Sequence, residues 1–189
     1  MSTTKTPLLP GHWYHIYNRG INGERLFFEE ENYAYFLKLM VRYLVNSVEV
    51  YAYCLLSNHF HLLVRVLEEL DKPPHLAFSH FFNSYAQSFN KRYNRTGSLF
   101  ERPFHRKLIE SERYRAQLVY YIHWNPLHHG FHEDFRDYLY SSYQSILSTS
   151  PTHLKRNEVL DWFGGKEGFV EYHQKELDFE EIKEYIVEK

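Results

Sequence analysis

Cysteine is almost missing. The 189 residues hold one, Cys54, so no intramolecular disulfide can form, which fits a reducing compartment. Long apolar runs are missing too: none approaches the length that spans a bilayer, and Met1 to Pro10 carries no signal-peptide core. A cytoplasmic protein with no membrane partner is therefore expected. Excess positive charge is also lacking, since the formal net charge is −2, which on its face argues against nucleic acid as a partner.

The distribution of charge points the other way. Residues 157–189 hold ten acids against four lysines, a net −6, which leaves +4 for the other 156 residues. Within those, Lys91 to Lys107 carries Lys91, Arg92, Arg95, Arg102, Arg106 and Lys107 against Glu101 alone. A phosphate backbone needs a local basic stretch, and whole-chain charge is a poor guide to one. A solvated charged face is the plainer reading. What the chain has in abundance is aromatic surface: 19% of residues, with 17 tyrosines and 15 phenylalanines. Its length suits one well-buried domain with an appendage.

Residues Leu56-Ser57-Asn58-His59-Phe60-His61-Leu62-Leu63-Val64-Arg65-Val66 alternate with period two. Phe60, Leu62, Val64 and Val66 fall on one side; His59, His61, Leu63 and Arg65 fall on the other, the pattern of a half-buried strand. Two imidazoles at i and i+2 project from one face, about 6–7 Å apart at Cα, close enough to converge on one cation. A pair of surface histidines is the alternative.

Around that strand the order of elements reads β-α-β-β-α-β-α. Gly11 to Arg19 is the first strand. Glu29, Glu30 and Glu31 favour the start of a helix that runs to about Asn46 through Tyr33, Phe36, Leu37, Met40 and Leu44. Val48 to Ser57 is the second strand. Pro73-Pro74 opens a helix marked by Phe78, Phe81, Phe82, Tyr85 and Phe89 and running to about Tyr93. Leu99 to Ile109 is an edge strand that tolerates Pro103. Ser111 caps a third helix, expected to end near Asn125 because Pro126 disfavours continuation. Short helical pieces follow around 138–147, 157–163, 168–174 and 178–187, the last with a capping-box-like start at Asp178 and Glu181. The order implies an α+β fold: a ferredoxin-like antiparallel sheet with helices packed on it, plus a helical C-terminal extension.

The third helix contains Tyr120-Tyr121-Ile122-His123-Trp124-Asn125-Pro126. Residues four apart share a helix face, so Tyr121 and Asn125 stand together, with Gln117 one turn back. The amide oxygen could be a third metal ligand and the phenol a nucleophile. With 17 tyrosines in the chain, packing is the ordinary role for any one of them.

Ser57 to Val64 resembles the histidine–hydrophobic–histidine (HUH) motif of single-tyrosine transposases. Tyr121 to Pro126, with His129-Gly130 after it, is similar to their tyrosine helix. Gly11 to Arg19 and Tyr140-Ser141-Ser142-Tyr143 fit as well, so the likeness spans about residues 10–147. Within that family the chain looks like the REP-associated tyrosine transposases, whose members also carry a tail like Val159 to Phe169. One departure is Ser57, where the family more often has proline.

The resemblance implies an enzyme that cuts and rejoins single-stranded hairpin DNA. Tyr121 would be the nucleophile and would end in a 5′-phosphotyrosine link. His59, His61 and Asn125 would hold Mg²⁺ or Mn²⁺. DNA phosphates would be met by Arg92, Arg95, Arg102, Arg106 and Lys107, with Arg19 and Arg65 nearer the site. It also implies a catalytic domain over 1–147, an acidic extension over 148–189, and a monomer or homodimer. Two rival readings stand beside it: a metal-dependent phosphodiesterase that uses water, and a nucleic-acid-binding protein without catalysis.

Overall fold

A computed structural model of the chain describes residues 6–175. Four strands, β1 (Trp13–Arg19), β2 (Val48–Leu55), β3 (His59–Val66) and β4 (His105–Ile109), form one antiparallel sheet in the order β2-β3-β1-β4. Helices α1 (Glu30–Leu44) and α2 (Pro74–Arg92) connect β1 to β2 and β3 to β4. With β1 and β3 central, this is the expected ferredoxin-like plan. After β4 come α3 (Glu112–His128), α4 (Tyr143–Leu147), α5 (Arg156–Trp162) and α6 (Lys166–Gln174). The expected segment over 178–187 lies outside the described residues, and no helix among those described is long and apolar enough to cross a membrane.

Period-two alternation decides which residues go to which side of the sheet. Tyr14 and Ile16 of β1 and Phe60, Leu62, Val64 and Val66 of β3 enter a core with Phe36 and Met40 of α1 and Phe78, Phe81, Phe82 and Tyr85 of α2. The opposite face carries Leu63, Tyr51 and Cys54 into a second core. That core is completed by Leu118, Tyr121 and Ile122 of α3, Ile146 of α4, Val159 of α5 and Phe169 of α6. The described part of the C-terminal extension is thus built into the same core as α3.

A chain of buried polar groups crosses this second core. His123 Nδ1 lies 2.9 Å from His173 Nε2, and His123 Nε2 lies 2.7 Å from Ser142 Oγ, which in turn accepts from the Tyr53 amide at 2.9 Å. It links α3, α6, the segment before α4 and β2. Burial pushes His123 well below the usual imidazole range, and the neighbouring His173 adds to that. Burial likewise pushes His173 down to about 4, against the opposing pull of the Phe169 carbonyl at 2.8 Å.

Three expectations change. α3 does not stop at Asn125 but runs through Pro126 to His128. Proline gives up the bond to the Ile122 carbonyl and crowds it, yet the last turn still closes through the His129 amide on the Asn125 carbonyl at 3.0 Å. The edge strand is shorter than Leu99 to Ile109: β4 starts at His105, and Phe100 keeps a single bridge to Gly20. The helical reading around 138–147 resolves into a 3-10 turn at Phe135–Asp137 and the short α4. Ser111 caps α3 as expected, accepting from the Tyr114 amide at 3.2 Å.

Candidate active site

β3 carries His59 and His61 on the sheet face that α3 covers, where Tyr17 is the cross-strand partner of His61 and Arg19 of His59. On the other side of β1, His105 pairs with Tyr17 and stacks on it, centroids 4.8 Å apart and 8° from parallel. Burial lowers the pKa of His105, against the opposing pull of Glu101 and with a smaller push from Arg19, which favours its neutral form at pH 7. A cavity of about 490 Å³ opens on this face, walled by Tyr17, Arg19, His59, His61, His105 and His129.

Both histidines of β3 are oriented through Nδ1. His59 Nδ1 lies 2.7 Å from Asn58 Oδ1. An amide oxygen only accepts, so the His59 proton sits on Nδ1 and its Nε2 bears the lone pair. Asn58 is held by its backbone, whose carbonyl accepts from the Gly20 amide at 2.8 Å. At Gly20 a Cβ would lie 1.9 Å from the Glu24 carbonyl oxygen, so glycine is required there. His61 Nδ1 lies 2.9 Å from His15 Nε2, and both rings are buried. The His59 and His61 centroids are 5.2 Å apart and perpendicular.

Asn125 is fully buried. Its Nδ2 donates to the Tyr121 carbonyl at 2.7 Å, while its Oδ1 has no hydrogen-bond partner among the described residues. Leaving a buried acceptor unmatched costs about 1–3 kcal/mol, and a cation would satisfy it. Imidazole nitrogens and an amide oxygen are donor types that suit Mn²⁺ better than Mg²⁺, though Asn125 is not among the residues that wall the cavity beside His59 and His61. No cluster of three His, Cys, Asp or Glu side chains suited to a metal occurs among the described residues.

Tyr121 is fully buried, its ring edge-on to His61 at 5.6 Å and to His15 at 6.3 Å. It does not line the cavity, so a phosphate reaches its hydroxyl only after what covers it moves. Tyr120 turns to the other side, toward Phe135 at 6.3 Å and His173 at 5.5 Å. Tyr114 lies buried in the second core.

The expected DNA contacts spread widely. Arg19 edges the cavity and pairs with Glu101 at 2.7 Å. Lys107 is opposite His15 in the β1–β4 register and so shares the histidine face. Arg106 points to the other face, with its guanidinium 5.0 Å over Phe104 and its pKa lowered by burial. Arg102 reaches Asn83 at 3.3 Å. Arg92 and Arg95, near the end of α2, pair with Glu29 (2.7 Å) and Glu24. Arg65 lies four residues along β3 from His61 and pairs with Glu68 at 2.8 Å.

His15, Tyr17, Asn58 and His105 were not singled out from the sequence. Alternation in Trp13–Arg19 does put His15, Tyr17 and Arg19 on one face, but only the strand register reveals that this face meets His61.

No family model matches the chain. A Haemophilus influenzae protein assigned by name to the REP-associated tyrosine transposases is 31% identical over 104 residues, covering 50% of this chain and 58% of the relative. The chain thus spans under two thirds of that relative's length. The fold aligns with the solved structure of a REP-associated tyrosine transposase bound to a REP hairpin, with a TM-score of 0.62. That alignment covers 80% of this chain and 89% of the other, at 17% identity. The chain resembles the REP-associated tyrosine transposases in sequence and in fold. Between a transposase of that kind and this chain, the structural match at such low identity speaks to the fold.

Proposed function

We propose that this chain is a transposase-like enzyme that nicks and rejoins single-stranded hairpin DNA, with Tyr121 as nucleophile and His59, His61 and Asn125 as metal ligands. The observation that carries the reading is Asn125, whose unmatched buried oxygen lies one helical turn from a tyrosine packed against His61. The likeness to REP-associated tyrosine transposases supports DNA as the substrate. A reducing, cytoplasmic setting and a monomer or homodimer belong to the same proposal.

Tyr121 attacks a backbone phosphorus, its Oη forming a new P–O bond as the bond to the 3′ oxygen breaks. The phenol proton is lost to solvent, and the departing 3′ oxygen takes one up. DNA is left joined to the protein by a 5′-phosphotyrosine. An ordinary phenol, with pKa about 10, is a weak nucleophile at neutral pH and needs help. A bound Mg²⁺ or Mn²⁺ would polarise the phosphate and offset charge on the leaving oxygen. Arg19 at the cavity rim binds and orients the phosphate. The bond energy is kept in the covalent link, so attack by a 3′-hydroxyl restores the strand without a nucleotide cofactor.

The test is incubation of the protein with end-labelled hairpin DNA and Mn²⁺, followed by a denaturing gel. A protein–DNA adduct that survives denaturation is expected; cleavage without one, or none with any divalent ion, overturns the reading. One observation favours a second reading: Tyr121 is buried and absent from the cavity wall. If water in the cavity is the nucleophile, the enzyme is a phosphodiesterase, and the product carries a free 5′-phosphate.

A further inference from the structure

We infer that His15 is a positioning residue that sets the tautomer of His61, so that His61 Nε2 faces a metal with its lone pair. The inference rests on the metal reading proposed above and adds to it a residue outside the HUH motif and the tyrosine helix.

The argument begins with the register of the sheet. β1 and β3 run antiparallel with Tyr17 opposite His61 and His15 opposite Leu63. His15 is therefore the diagonal neighbour of His61 on the same face, within reach of its ring. His15 Nε2 and His61 Nδ1 are 2.9 Å apart, and each residue is only 2% exposed. Water does not compete for this bond.

A single proton lies between two ring nitrogens, so one imidazole donates and the other accepts. If His15 donates from Nε2, neutral His61 accepts at Nδ1 and carries its own proton on Nε2, where it blocks ligation. If His61 donates from Nδ1, its Nε2 holds the lone pair, and His15 carries its proton on Nδ1. Only the second arrangement binds a metal. Ligating histidines usually give their other N–H to a carboxylate, a carbonyl or water, and losing such a partner costs about 10–100-fold in metal affinity.

The two histidines of the motif differ in this respect. His59 gives its Nδ1 proton to the Asn58 amide oxygen, an acceptor that cannot reverse the bond. The acceptor for His61 is another imidazole, so its ligating form depends on which tautomer His15 holds.

The experiment measures Mn²⁺ binding to the full chain by titration calorimetry. His15→Leu removes the acceptor and should weaken Mn²⁺ by about 10–100-fold. His15→Gln returns an acceptor oxygen near the former Nε2 and should restore most of the affinity, which a purely structural role would not require. If His59→Ala loses Mn²⁺ while His15→Leu binds it as the wild type does, the His15 assignment fails and the metal reading stands. If wild type and His59→Ala bind alike, the metal reading fails and the inference falls with it. A measurement on the wild type guards against misfolded variants: long-range proton–nitrogen NMR of the metal-free protein should find His61 protonated on Nδ1. A proton on His61 Nε2 overturns the inference.

Discussion

Asn125 is tied to Tyr121 across one helical turn, its Nδ2 donating to the Tyr121 carbonyl at 2.7 Å while its buried Oδ1 goes unmatched. Asn125→Ala deletes one hydrogen bond, worth about 1 kcal/mol, but also relieves the unmatched oxygen, an effect of opposite sign. Thermal stability should change little. Metal affinity and cleavage rate should fall about 10-fold or more, the scale for an impaired metal shell. An unchanged Mn²⁺ titration removes Asn125 from the site.

Tyr121→Phe keeps the ring between His61 and the α3 core and deletes the hydroxyl alone. The variant should bind hairpin DNA and Mn²⁺ as the wild type does, yet form no adduct and cut no strand. Tyr120→Phe and Tyr114→Phe should keep both activities, since Tyr120 turns toward His173 and Tyr114 is a core residue. A Tyr121→Phe enzyme that still cuts, with a free 5′-phosphate on a denaturing gel, makes water the nucleophile.

Acid should destabilise the fold through His123 and His173. Both have depressed pKa values, His173 down to about 4 and His123 well below the usual range, with burial the main cause. In the unfolded chain they protonate as pH falls through about 6.5. Between that pH and about 4 the unfolded state binds more protons, so stability is full above 6.5 and drains away on the way down. Melting temperature should drop between pH 7 and pH 5. His173→Gln removes one titrating group and should make that dependence shallower; an unaltered slope would clear His173 of the effect.

DNA affinity should separate the two faces of β4. Neutralising Arg102, Arg106 and Lys107 together should weaken binding and flatten its salt dependence, because fewer counterions are released. Lys107→Gln alone should account for about one unit of that slope, as Lys107 shares the histidine face. Arg65→Gln should do less, since Arg65 sits beside Glu68 and Glu49, 2.8 and 3.9 Å away. Equal slopes for the wild type and Lys107→Gln, read from binding curves at several salt concentrations, would move the phosphate contacts elsewhere.

Local pattern alone settled a good deal. Alternation between Asn58 and Val66 is a property of neighbouring residues, and it put His59 and His61 on one face before any partner strand was known. Helical spacing did the same for Tyr121 and Asn125, and the order of elements implied the ferredoxin-like sheet that is observed. Where local rules misjudged, backbone hydrogen bonding overrode them. Proline at 126 was read as a stop, yet α3 continues to His128, because the His129 amide still closes the last turn on the Asn125 carbonyl while Leu127 and His128 stay exposed.

Long-range relations belonged to tertiary structure alone. That His15 meets His61 depends on register, since a slip of one residue would turn every side chain of β1 to the other face. The basic run over 91–107 looked continuous in the sequence, but alternation along β4 and ion pairs at the end of α2 divide it. Likewise, His123 and His173 stand 50 residues apart along the chain, and only the closing of α6 onto α3 brings a nitrogen of each ring to 2.9 Å of the other. Sequence determines which residues can share a face; strand pairing and helix docking decide which faces meet, because those depend on contacts between distant segments.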